Sequence, residues 1–101
     1  MQDGQAQRKA LSSAEQALQA LQAGAADRAR QAAARAAELD QIGVYGGFVE
    51  AVGAAANEID ATGSISREAW RALSAVLPQG PLQAIADEAA AGTQEGAGSE
   101  G

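Results

Sequence analysis

Leu11, Ala14, Leu18 and Leu21 recur at steps of three and four, the spacing that lines one face of an α-helix with apolar side chains. The run stops at Gly24, the residue type that enters a left-handed helix end at least cost. Behind it Asp27 sits where a first helical turn favours negative charge, and Ala29, Ala32, Ala33, Ala36 and Leu39 trace a second stripe. A link of about three residues makes two such helices antiparallel, so the pattern predicts a hairpin over 10–41. Tyr45, Phe48, Val52, Ala55 and Ile59, widened by Val49 and Ala56, predict a third helix over 44–60. It should stop between Asp60 and Gly63, because Asn57, Glu58 and Asp60 crowd a helix end that disfavours negative charge. Gly46 and Gly53 stand seven apart on one side of it and would let another helix approach closely. Ser66 is placed as an N-cap and Ile65 as a staple against Trp70, which with Leu73, Val76 and Leu77 marks a fourth helix over 66–77, closed by Pro78. Pro81 opens a short fifth over 81–91, carrying Leu82, Ile85, Ala86 and Ala89. The first nine residues are polar and Gln-rich, and from Gly92 to the end no large apolar residue occurs, which reads as a disordered tail over 92–101. The expected fold is all-α: one Ala-rich bundle of about five helices over 1–91.

Composition sharpens this picture. Of the 101 residues 28 are Ala, only 19 are larger apolar or aromatic residues, and Leu, Ile, Val and Phe together number 16. That lies under the roughly 20% at which a charged chain starts to look disordered. Alanine offsets the shortage, since it has the best helix propensity and loses no side-chain entropy on folding. A small core then suffices if helices pack closely, and some apolar surface is expected to stay open for a partner or a second copy of the chain.

With no His and no Cys, the chain by itself cannot build a Cys/His zinc site, a thiol nucleophile, a histidine base or a disulfide. No metal and no cofactor is expected. The net charge of −6 is uneven: residues 1–40 carry five basic and five acidic side chains, whereas 41–101 carry two basic and eight acidic ones. The acidic half would repel a phosphate backbone or an anionic bilayer, so neither nucleic acid nor membrane is expected as a main partner. The polar start Met1-Gln-Asp-Gly reads as an intact cytoplasmic start, and the weakly polar run Ile42–Ala56, broken by Glu50 and four Gly, is too short to span about 30 Å of hydrocarbon.

Little in the chain has the spacing of chemistry. The corner Ile42–Phe48, IGVYGGF, lacks the strand before and the Lys or Ser/Thr after that a phosphate-cradling loop needs, and reads as a joint between helical units. Glu58–Trp70, EIDATGSISREAW, resembles an EF-hand calcium loop in outline, with Gly63 at the turn. In that register Ala69 falls where a bidentate Glu is required, so a plain helix-loop-helix connection is expected. Asp40, Glu58, Asp60, Asp87, Glu88 and Tyr45 are the candidates for acid-base work, and nothing in their spacing brings two together in a buried site. Arg28, Arg30 and Arg35 stand outside the second apolar stripe, either as solvated surface or as a patch that reads carboxylates, for which the guanidinium fork is suited. Tyr45, Phe48 and Trp70 are candidate binding anchors, since aromatic residues dominate interface energetics, although in so poor a core burial is the first expectation for each.

The segment Ala10–Gln41 also resembles a single tetratricopeptide repeat. The match rests on Gly24 at the turn glycine, Ala29 five further on, Ala36 seven beyond that, and Glu38-Leu39-Asp40 as the closing run. Gln16 and Ala20 depart from the family's Leu and Tyr, Gln41 stands where Pro is usual, and aligning Gly63 with a second turn glycine puts Glu68 on a small position. The resemblance implies an antiparallel hairpin whose small residues let its helices, and stacked neighbours, nest closely. These readings converge on a non-enzymatic protein-interaction module whose partner is another protein or itself, as a homo-oligomer. The alternative is a structural or accessory subunit that orders only within its complex.

Overall fold

The computed structural model of the chain describes residues 2–40, 43 and 45–92. Among these the architecture is an all-α bundle of five helices, α1 (Gln2–Gln22), α2 (Ala26–Leu39), α3 (Phe48–Thr62), α4 (Arg67–Val76) and α5 (Pro81–Gly92). α1 and α2 form the antiparallel hairpin, α3 lies along α2, and α4 and α5 pair with each other and return against α3 and α1.

The hairpin turn is made by backbone geometry. Gly24 adopts φ +79°, its N–H donates to the Leu21 carbonyl (3.1 Å), and the Ala25 N–H reaches the Ala20 carbonyl (2.8 Å). These paired bonds form a Schellman motif and satisfy the carbonyls that end α1. At the far end Gln7 Nε2 donates to Asp40 Oδ1 (3.0 Å), tying the start of α1 to the end of α2. α1 thus begins well before the expected residue 10. Its first turns are polar but rich in Gln, Arg and Lys, good helix formers that an apolar periodicity does not register.

α3 starts later than the expected residue 44, which lies, with Ile42, outside the described residues. The Asp40 carboxylate accepts the Gly43 N–H (2.9 Å) and the Tyr45 N–H (2.7 Å), drawing the chain into a loop, and Tyr45–Gly47 then makes a turn closed by the Phe48 N–H on the Tyr45 carbonyl (3.1 Å). The helix ends where negative charge crowds it, with Gly63 left-handed at φ +88°. Close approach falls on a different glycine from the two expected. A Cβ on Gly53 would meet nothing within 4 Å and one on Gly46 only the Gly43 carbonyl at 3.6 Å, whereas one on Gly47 would press Val76 Cγ1 of α4 at 3.2 Å.

Ser66 caps α4 as expected, its Oγ accepting the Ala69 N–H (3.1 Å). Ile65 and Trp70 are both buried, as a staple requires. α5 begins at Pro81 and closes on Gly92; the remainder of the expected tail, 93–101, lies outside the described residues.

One hydrophobic cluster runs through all five helices. Among the described residues it holds twelve Ala, eight of them in α1 and α2, and ten larger residues: Leu18, Leu21, Tyr45, Phe48, Val52, Ile65, Trp70, Leu73, Leu77 and Leu82. The helices therefore meet over methyl groups in the hairpin and over larger side chains from α3 onward. No side-chain N or O that is buried lacks a hydrogen-bond partner among the described residues.

Candidate docking groove on the helical hairpin

The six residues singled out by sequence divide into two sets. Tyr45 (2% exposed), Phe48 (0%) and Trp70 (5%) are core. Tyr45 and Phe48 pack against each other with ring centroids 5.8 Å apart at 59°. Burial first, and then the charge of Asp40, raise the Tyr45 phenol above its ordinary pKa, so it stays neutral in the range where the protein would work. Trp70 lies at the opposite end of α3, beneath an open depression of about 440 Å³ also lined by Leu21, Ile59, Ile65 and Ala89. The three rings hold helices together and present little surface to a partner.

The arginines separate as well. Arg30 turns toward α3, donating to Asp27 Oδ1 (3.0 Å), Asn57 Oδ1 (2.8 Å) and Asp60 Oδ2 (2.8 Å). The Asp60 hydrogen bond raises its pKa further, and this guanidinium is engaged in joining α2 to α3. Arg28 and Arg35 point the other way. They stand seven apart on α2, hence on one side, and line a depression of about 480 Å³ with Gln16, Gln31, Ala32 and Glu38. Arg35 and Glu38 continue into a second depression, of about 470 Å³, walled on the α1 side by Lys9, Ser12 and Ser13 and ending at Leu39. The two hollows share Arg35 and Glu38 and adjoin as a shallow groove along the outer seam of the hairpin.

Its walls follow from two helix registers. Lys9, Ser12, Ser13 and Gln16 occupy positions i, i+3, i+4 and i+7 of α1, while Arg28, Ala32, Arg35 and Leu39 repeat at four, three and four on α2. Small side chains at the seam, Ser13 and Ala32, leave the floor shallow. Three cations face one carboxylate, Glu38, and among the described residues none of Lys9, Arg28 and Arg35 makes an ion pair. Lys9 was not among the residues singled out. Its signal was the repeat of its α1 register opposite that of Arg35, visible only once the hairpin is antiparallel.

The candidate acid-base groups are dispersed; Glu88 is exposed on α5, Tyr45 is core, and the other four are engaged apart from one another. Asp40 holds the corner before α3; Glu58 accepts the Ser66 N–H (2.7 Å) and Oγ–H (3.2 Å) across the α3–α4 link; Asp60 binds Arg30; and Asp87 accepts the Ser74 hydroxyl (2.6 Å) between α4 and α5. Glu58, Asp60 and Thr62, the first positions of the calcium-loop register, lie within α3, and the connection to α4 is a plain helix-loop-helix link. Among the described residues no group of three or more acidic, His or Cys side chains is placed to hold a metal, and no helix is long and apolar enough to cross a membrane.

The chain matches no protein-family model, and comparison with curated proteins and with solved structures finds no match.

Proposed function

We propose that the chain is a helical module that acts by binding another protein, without chemistry of its own, and that the partner docks on the outer seam of the α1–α2 hairpin. The observation that carries this reading is the groove itself: two adjoining hollows along a helical pair, with three cationic side chains at their walls that make no ion pair among the described residues. The likeness of Ala10–Gln41 to a tetratricopeptide hairpin fits a role in which closely nested helices present a surface. In this reading α3 supports the hairpin from behind through Arg30 and the aromatic core, and the aromatics are not anchors.

The test is affinity capture from the native host with the full chain, comparing it with Arg28→Glu/Arg35→Glu. A partner retained by the parent and lost by the variant, with circular dichroism unchanged, supports the reading. Equal capture by both moves the docking surface elsewhere. A second reading, an accessory subunit or obligate homo-oligomer, is favoured by the core, in which only ten of the twenty-two buried apolar residues among those described are larger than Ala. Thermal melting over about a hundredfold range of concentration separates the two. A concentration-independent melt belongs to a self-sufficient binding module, a rising midpoint to self-association, and weak helicity to an accessory piece.

A further inference from the structure

The groove carries information about what it receives. Arg28 and Arg35 are separated by seven residues of one helix, a rise of about 10 Å, and any helix laid along the seam repeats that rise between its own residues seven apart. The Arg35 end is also reached by Lys9 from the opposite wall, so a carboxylate there would be met from both sides. The seam between these points is floored by Ser13 and Ala32, which allow another backbone to come close, and it ends at the half-buried Leu39, an apolar contact for the end of such a helix.

On the basis of the docking site proposed above, we infer that the groove accepts an acidic helical segment of a partner protein, one whose carboxylates stand seven residues apart on its inner face. The occupant is a protein helix rather than nucleic acid because the chain's net charge of −6 lies outside this seam and repels a long polyanion, while a short segment with two aligned carboxylates meets only the groove's excess of two positive charges. Guanidinium forks suit carboxylates in geometry as well as in sign. Glu38, the one acid in the seam, disfavours a segment that is negative throughout.

The experiment uses the full chain and labelled, helix-stabilised peptides of about fifteen residues, long enough to hold a helix along the seam. One peptide carries Glu at two positions seven apart on its apolar face. Its counterpart has Gln at both, and a third has the same two Glu on opposite faces. Fluorescence anisotropy should show the aligned-Glu peptide binding at least about tenfold more tightly than either control, with the margin shrinking as salt rises. Arg28→Gln/Arg35→Gln should abolish the margin, and Lys9→Gln should reduce it. Equal binding of Glu and Gln peptides, with amide shifts confined to residues 9–16 and 28–39, overturns the charge-reading inference and leaves the docking site standing. Absence of shifts at those residues with every peptide overturns both. Tighter binding to a DNA duplex than to the aligned-Glu peptide overturns the choice of a protein occupant.

Discussion

At the scale of single residues, Tyr45 turns burial into a dependence on pH. Its phenol is raised above the ordinary 10.0 by loss of water and by the neighbouring Asp40 charge, so the unfolded chain gives up this proton at lower pH than the folded one. The stability it contributes is whole below pH 10.0 and drains away as pH rises through the raised value. In urea titrations carried from pH 10.0 upward, Tyr45→Phe should lose less stability than the parent, and equal losses would show that the phenol is hydrated. Two glycines make a second test because their backbones differ. Gly53 lies inside α3 with open space where a Cβ would go, so Gly53→Ala should stabilise by about 0.5–1 kcal/mol. Gly24 sits at φ +79°, and Gly24→Ala should cost about 1–2 kcal/mol, read from the same denaturation midpoints. Not every residue's role was legible in the chain. Asp40 is drawn to two backbone N–H groups and to Gln7 over 33 positions, and no periodicity announces a side chain whose partners are amides.

At the scale of elements, the helix stripes and their punctuation were readable because each rests on local chemistry: Gly24 as a left-handed end, acidic crowding as the stop of α3, Ser66 as a cap, Pro81 as a start. The beginnings of α1 and α3 were less so. α1 extends into polar turns whose helicity comes from propensity and from Gln7, and α3 waits on a loop that Asp40 organises. The groove was half visible: Arg28 and Arg35 share a register, but its other wall needs α1 to be laid against α2 in the right sense. The hairpin's dependence on methyl groups is open to direct test. Ala33 is fully buried within the hairpin, so Ala33→Leu should overpack it and lower stability by about 1–3 kcal/mol. Ala34→Leu, one position on and exposed, should shift it by less than about 0.5 kcal/mol. Equal urea midpoints for the two variants would mean that α1 and α2 do not nest over their alanines.

At the scale of the molecule, charge and packing are distributed in opposite senses. The hairpin has the small side chains, five basic and five acidic groups and the cationic seam, while residues 41–101 bring most of the large core residues and the whole net negative charge. A partner that read the seam, as proposed above, would approach a face whose local charge opposes the net charge of the whole protein, which would favour orientation on encounter and make association sensitive to ionic strength.

The turn at Gly24 has a further consequence, in time rather than in space. Its two hydrogen bonds span three and five residues and close before any distant contact is needed, so the loop entropy of joining α1 to α2 is small. The hairpin is then expected to form early in refolding, with α3 and the α4–α5 pair condensing on it. In stopped-flow kinetics Ala33→Gly should mainly slow refolding, whereas Leu82→Ala should mainly hasten unfolding; the reverse assignment would place the earliest structure at the other end of the chain.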